Sequence, residues 1–434
     1  MAVETKAELT QAYITTISKE LNEPDWLLQM RLEGYQLSQT LELPQPEKTS
    51  IRDWNVTDFS LDFNENPINS PDALPEEVQR LMGPESGPQA VLIHKNGRPI
   101  YTHVDRDLEE QGVIFKDIHQ AVQEHGDLVR RYLGQLVEVN ENKLTAVHTA
   151  LFNCGVFLYV PKNVEVKVPV QSIWWQAKGD VGILPHILVV AETGSKVSYV
   201  ENLLGAEEGT AVNHYVAEVY VGPGASVTFA ALDNLGEGVT NYVWRRAKVE
   251  KDGHMEWALG QLHDGNTLSD NLTLLHGDGS TAESKSVAVG RGNQSQNFVQ
   301  KMVHIGKASD GQIIGHAVMK DNARGIFNGI TKIEKGATKA NGEQTERVLM
   351  LSENARGDAN PILLIDEDDV MAGHAASVGQ IDKMQLYYLM SRGIPKEEAE
   401  RLIILGFLNP VVEKMPIEGI RNQLIQVIER KVRS

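Results

Sequence analysis

Apolar positions recur every three to four residues at both ends of the chain and every second residue in its middle. Leu9, Ala12, Tyr13 and Ile17 share one helical face, and Trp26, Leu27, Met30 and Leu37 extend the pattern after Pro24. Pro44 and Pro46 stop it, because proline cannot donate into a helix. Residues 47–90 carry many turn formers, among them Asn64, Asn66, Pro67, Pro71, Pro75, Gly83, Pro84 and Pro88. They read as an irregular connection with one short helix at Glu76–Met82. Ala90–His94 and Pro99–His103 flank Asn96-Gly97, which predicts a β-hairpin. Val113, Ile114, Ile118, Val122, Leu128, Val129 and Leu133 predict a helix over Leu108–Leu136, and Asn142–Leu151 a shorter one.

From Gly155 the period shortens. FLYVPKNVEVKVPVQSIWWQ predicts two strands around the turn Pro161-Lys162-Asn163. Turn words then recur ahead of strands, at Glu192–Val197, Gly222–Val227 and Lys251–Glu256, and more loosely at Asp278-Gly279-Ser280, Asp310-Gly311-Gln312 and Lys335-Gly336-Ala337. Gly194, Gly224, Gly253, Gly279, Gly311 and Gly336 mark them at a loose but sustained interval, within the range of solenoid repeats. A turn-plus-strand unit cannot bury its own apolar face, so stacked units must share one core. The pattern favours a parallel β-helix over a β-sandwich and leaves the sandwich open.

The strand texture ends in an apolar run, Ile362–Ile365, then four acids, Asp366, Glu367, Asp368 and Asp369, then Gly373-His374-Ala375-Ala376. Helical spacing returns from Asp382. Met384–Met390 predicts one helix, ended by Gly393. A second starts at Pro395, with Glu397, Glu398 and Glu400 suited to its positive end. Ala399, Leu402, Ile403 and Phe407 form its apolar face, and Asn409-Pro410 is expected to end it. A third starts at Pro416 and Glu418, with Ile420, Leu424, Val427 and Ile428 apolar and Arg430, Lys431 and Arg433 near its negative end. Three short helices cannot bury this much apolar surface among themselves. A solenoid end cap would account for part of it and a partner's docking face for the rest.

Composition narrows the function. A chain of 434 residues has room for two or three structural units. Its net charge of −18 argues against broad binding to nucleic acid or anionic membrane. A single cysteine, Cys154, rules out an intrachain disulfide and a cysteine-rich zinc or cluster site, and fits a reducing compartment. The N-terminus shows no apolar signal region, and no apolar run is long enough to span a membrane, so a cytoplasmic protein is expected. The phosphate-loop word G-x-x-x-x-G-K-[ST], G-x-S-x-G and H-E-x-x-H are all absent.

The chemistry left is sparse. His276, His304, His316 and His374 fall at turn-rich sites where a stacked ladder could gather them as metal ligands. Separate surface or turn histidines are the commoner outcome. His374 stands out because its neighbours are too small to cover it, although a hydrogen-bonded turn histidine fits the same spacing. The acids 366–369 could attract a hard cation, but such runs are more often solvated turns. Cys154 has no basic neighbour in sequence, which favours a buried thiol over a nucleophile. Trp174 and Trp175, adjacent in a strand, should point to opposite faces.

Four stretches are similar to the SufB/SufD family of iron–sulfur cluster assembly proteins, and nearer to its SufD-type members from Gram-positive bacteria. They are LTAVHTALFNCGVFLYVPKNV (144–164), NGEQTERVL (341–349), RVLMLSENARGDANPILLIDEDDVMAGHAASVG (347–379) and QLYYLMSRGIPKEEAERLIILGFLNPVV (385–412). The resemblance implies a mainly β fold: a right-handed parallel β-helix flanked by N- and C-terminal helical parts. Placed on this chain, it divides residues 1–143 (helical and mixed), 144–381 (β-helix) and 382–434 (helices that dock an ATPase). It also implies a non-catalytic scaffold that pairs with a SufB-type chain through the β-helix, or with itself as a homodimer when isolated. The SufC-type ATPase would dock on the C-terminal helices, for which Leu386, Tyr387, Met390, Ile394, Pro395, Leu402 and Phe407 are the candidate contacts. The family's H-[GA]-A-x-x-G histidine falls on His374, a candidate ligand or proton acceptor where the cluster forms. With one cysteine, the chain is expected to hold no cluster tightly alone and to share a transient one with its partner. Two other readings stay open: a SufB-like scaffold that nucleates the cluster itself, and a β-helix carbohydrate-active enzyme using the acids before His374. The lone cysteine, and glycine rather than glutamate before His374, favour the SufD type.

Overall fold

The computed structural model describes residues 9–82, 90–206, 209–414 and 418–433. Gly83, Pro84, Pro88 and Pro416, read above as turn or helix-start residues, lie outside the described residues. The N-terminal helices α1 (Gln11–Glu20) and α2 (Asp25–Thr40) are separated at Asn22, which takes a φ of 52°. Helix α3 (Glu76–Leu81) and the hairpin β1 (Ala90–Lys95) and β2 (Arg98–Val104) form where expected. Asn96 and Gly97 supply the two positive φ values, 49° and 83°, that a tight hairpin turn requires.

The helix expected over Leu108–Leu136 is broken. It is replaced by α4 (Arg106–Glu110), β3 (Ile114–Asp117), α5 (Ile118–Glu124) and α6 (Gly126–Tyr132). Gly112 leaves the helical region at φ 81°, and Ile114–Asp117 pair antiparallel with β4 (Cys154–Val160). Pairing with an open strand edge satisfied the backbone there better than a helix would. Asp117 then caps α5 by accepting from the His119 and Gln120 amides. Helix α7 (Lys143–Leu151) begins with a capping box between Asn142 and Thr145.

After β4 the chain winds as a parallel β-helix. The next strands are β5 (Val170–Trp175), β6 (Pro185–Ala191), β7 (Lys196–Leu204), β8 (Val212–Val221), β9 (Ser226–Asn234), β10 (Thr240–Val249) and β11 (His254–Gln261). They continue with β12 (Thr267–Leu275), β13 (Thr281–Gly290), β14 (Ser295–His304), β15 (Asp310–Met319), β16 (Arg324–Ile333), β17 (Asn341–Met350), β18 (Arg356–Ile365) and β19 (Met371–Gln380). Odd strands stack into one sheet and even strands into the other, so β4 and β5 do not pair across Pro161-Lys162-Asn163. One coil carries Asn241 onto Thr267, and another carries Arg324 onto Arg356, the same stride that separates the marker glycines. Gly194, Gly224, Gly279 and Gly336 take positive φ at the corners; Asp252 and Ala308 do so near Gly253 and Gly311.

Alternate residues of each strand point into the solenoid. Tyr199, Phe229 and Trp257 stack in register inside it, with ring centroids 4.9 and 5.0 Å apart. The outward face of the even-strand sheet is covered by the N-terminal helices, through Ile14, Leu27, Val147, Leu188, Val216 and Trp244. The outward face of the odd-strand sheet is covered by α9 (Lys396–Val412) and α10 (Glu418–Arg433). The C-terminal helices are therefore a flank and not the expected end cap. Helix α9 also runs past Asn409-Pro410, because Val411 and Val412 are buried against that flank and hold its last turn.

The interior also holds charge. Arg245 makes two 3.2 Å contacts to the Asp233 carboxylate and lies 3.8 Å from Glu201, all three buried. One guanidinium cannot offset two buried carboxylates, and burial pushes Glu201 up to about 7. A raised carboxyl stabilises fully below its ordinary value of 4.5 and loses that contribution as pH rises through about 7. Wild type should therefore lose up to ~3 kcal/mol relative to Glu201→Gln across that window. Urea midpoints of both proteins measured from pH 4.5 to 8 test this, and parallel curves would refute it.

Candidate functional site: the open end of the solenoid

The first coil is closed by the β1–β2 hairpin and by β3, but among the described residues no strand covers the last. β18 pairs only with β16 and β19 only with β17, so each sheet ends in an unpaired strand edge. Proteins usually blunt such edges with lysine, proline or inward charge. β18 carries Pro361, whereas β19, MAGHAASVGQ, contains no proline, lysine, arginine or acid. Leu364, Ile365, Met371 and Val378 are exposed at this end, Met371 to 67%.

His374 lies near the middle of β19 and is exposed. Its register partner is Gln344 of β17, whose side chain crosses the interior to donate to the Ile362 carbonyl of β18 at 3.2 Å. Parallel pairing keeps register partners on one face, so His374 belongs to the inward row. Two residues along β17, on that same row, is Glu346. Glu346 is 4% exposed and Gln344 1%. Burial alone pushes the Glu346 carboxyl up to about 8. Sequence reasoning missed both residues. The available signal was their parity with Val348 and Met350 in a strand polar on both faces, which does not by itself say which face is inside.

The other candidates are dispersed. His276 faces Glu250 on the surface at 3.1 Å, His304 is buried against Ser309 at 2.9 Å, and His316 donates to the Phe407 carbonyl at 2.8 Å. Among the described residues no three His, Cys, Asp or Glu side chains converge as a metal site, so the histidine ladder does not form. The acidic run is a turn: Glu367 accepts the Gly336 amide at 2.9 Å, and this bond lowers its pKa. Cys154 is fully buried, donates to Asn153 at 3.3 Å, and is pushed well above its ordinary pKa by burial. Trp174 is buried and Trp175 half-exposed, as strand alternation requires.

The C-terminal candidates divide. α8 (Lys383–Ser391) has no buried residue, and it exposes Tyr387 (68%), Tyr388 and Met390 together with Met384 (73%). Leu386 and Ile394 are half-buried, Pro395 is exposed, and Leu402 is exposed on α9. Phe407 turns inward, its ring 5.1 Å from that of His316. No helix of the described residues is long and apolar enough to cross a membrane.

Residues 174–407 match the SufBD core domain of the SUF system of iron–sulfur cluster assembly, and residues 42–172 match the SufBD protein N-terminal region. The chain is 51% identical over 437 residues to the iron–sulfur cluster assembly protein SufD of Bacillus subtilis, covering 100% of both chains. It is 30% identical over 419 residues to an iron–sulfur cluster assembly SufBD family protein of Staphylococcus epidermidis, covering 94% of this chain and 90% of the relative.

Proposed function

The chain belongs to the SufB/SufD family of iron–sulfur cluster assembly proteins, and from that premise we propose that it is a non-catalytic scaffold subunit working in the cytoplasm. The observation that carries this reading is the uncovered last coil. An edge strand without lysine, arginine or acid, which itself exposes Met371 and Val378, suits pairing with another β-sheet. The proposed partner there is a SufB-type chain, or a second copy when this chain is alone. His374 would sit at that junction as a nitrogen ligand or proton acceptor, and a transient cluster would be completed by the partner's side chains.

The second proposed contact is a SufC-type ATPase on α8. Met384, Tyr387, Tyr388 and Met390 give this helix an apolar surface that no described residue covers. Removing residues 383–434 outright would also strip Ile404, Leu408, Leu424 and Ile428 from the sheet they cover, so point substitutions are the cleaner probe. Met384→Asp and Tyr387→Asp together should weaken ATPase binding at least ~30-fold while leaving the melting temperature unchanged. Titration calorimetry with the cognate ATPase checks this. Unchanged affinity would remove α8 as the contact, and no binding by the wild type would remove the adaptor reading.

A further inference from the structure

Two buried oxygens converge inside the mouth of the solenoid. A Cβ at Gly329 of β16 would stand 2.6 Å from Glu346 Oε1 and 2.7 Å from Gln344 Oε1, so both atoms border the same small gap. Among the described residues, Gln344 Oε1 and Glu346 Oε2 have no hydrogen-bond partner. The Gln344 amide is oriented by its own donation to Ile362, which leaves its oxygen turned toward the acid. Nothing cationic offsets Glu346, since burial is the sole influence on its carboxyl. Acceptors turned toward one another in a low-dielectric interior need something positive between them.

The surroundings leave room for it. Gly329 places no side chain between the two oxygens, and Gly315, the register neighbour of Glu346, adds none beside the acid; a separate cavity of about 10 Å³ adjoins Glu346, lined by Phe298, Gln300, Phe327 and Arg347 and not by Gln344 or His374. The interior changes along its axis to suit. The inward row that holds Tyr199, Phe229 and Trp257 continues as Ser284, Ile313, Gln344 and His374. His374 stands one strand spacing, ~4.8 Å, beyond Gln344 on the side open to solvent.

We propose that Glu346, Gln344 and His374 form a seat for one divalent transition-metal cation of the iron(II) class, just inside the open end of this chain. A carboxylate, an amide oxygen and an imidazole nitrogen suit borderline cations of this kind. Water or a partner's side chain would complete the coordination. Entry of the cation displaces the Glu346 proton: the carboxylic acid becomes a metal-bound carboxylate and one proton leaves to solvent. The inference rests on the reading that this end of the solenoid handles iron, and it adds a binding site belonging to this chain alone.

The test is anaerobic titration of iron(II), and of cobalt(II) as a spectroscopic probe, into the full-length chain in two buffers of different protonation enthalpy. Wild type should bind one equivalent that Glu346→Gln does not, with release of a proton. His374→Ala should weaken that equivalent at least ~tenfold. Gly329→Ala, which keeps every ligand but fills the gap between them, should weaken it as well. Equal stoichiometry and affinity in wild type and Glu346→Gln would overturn the proposal and leave the acid's own proton as the occupant of the gap. ATPase binding measured on the same proteins keeps the two readings apart: the seat can fail while docking holds, and docking can fail while the seat binds.

Discussion

His374→Ala is expected to lower iron–sulfur cluster assembly at least ~tenfold with the fold and the complex intact. The residue is exposed on the edge strand, so truncating it opens no cavity in the core. Its backbone remains in the β17–β19 ladder, where Gln344 pairs with it. What is lost is an imidazole on the inward row at the mouth of the solenoid. The measurement is cluster transfer to an apo-ferredoxin by the reconstituted complex, with Ser377→Ala as a control on the opposite face of the same strand. Normal transfer by His374→Ala would end the proposed role. Lost transfer with a lowered melting temperature would point to a structural role instead.

Glu218→Ala is expected to be the most destabilising single change, at ~3–5 kcal/mol. The Glu218 carboxylate on β8 accepts the Leu136 amide at 2.6 Å, the Val137 amide at 3.0 Å and the Gly134 amide at 2.6 Å. It also faces His186 Nε2 at 3.0 Å, and His186 Nδ1 lies 3.1 Å from His148 Nε2. His148 Nδ1 donates to the His214 carbonyl at 3.0 Å, so its Nε2 is left to accept from His186. Burial first, and the neighbouring His186 second, hold His148 well below its ordinary pKa. One carboxylate thus satisfies three backbone donors and anchors a histidine pair that joins α7 to the solenoid. Its removal leaves His186 Nε2 and three backbone donors without this acceptor, the Val137 amide buried and the Gly134 and Leu136 amides half-buried. Urea unfolding gives the size of the effect. Faster hydrogen exchange at Gly134, Leu136 and Val137 gives its location. A loss below ~1 kcal/mol would show that water replaces the carboxylate.

The helices and the solenoid were legible because their signals are local. The periods at Gln11–Thr40 and at Glu418–Arg433, and the recurring glycine turns, need only a few neighbouring residues to be read. Where a local signal met a distant partner, the partner won. Ile114–Asp117 has helical spacing but lies beside the free edge of β4, and α9 passes Pro410 because Val411 and Val412 find a sheet to cover. Of the candidate site, His374 could be named from its neighbours. Gln344 and Glu346 could not, because only the winding of the coil turns that face of β17 inward and sets both oxygens opposite Gly329 of β16.

By itself the sequence determined the family, the stride of one coil and the presence of an unusual histidine at the end of the β region. Each rests on residue identity and short-range spacing. Only the tertiary structure decided that the C-terminal helices lie along the flank, that the last coil is therefore open, and that a buried acid and amide face each other beneath His374. Those features depend on which strand stacks on which and on how far each coil advances. A shift of one residue in that register would turn Glu346 and His374 to the outside without altering the local sequence pattern.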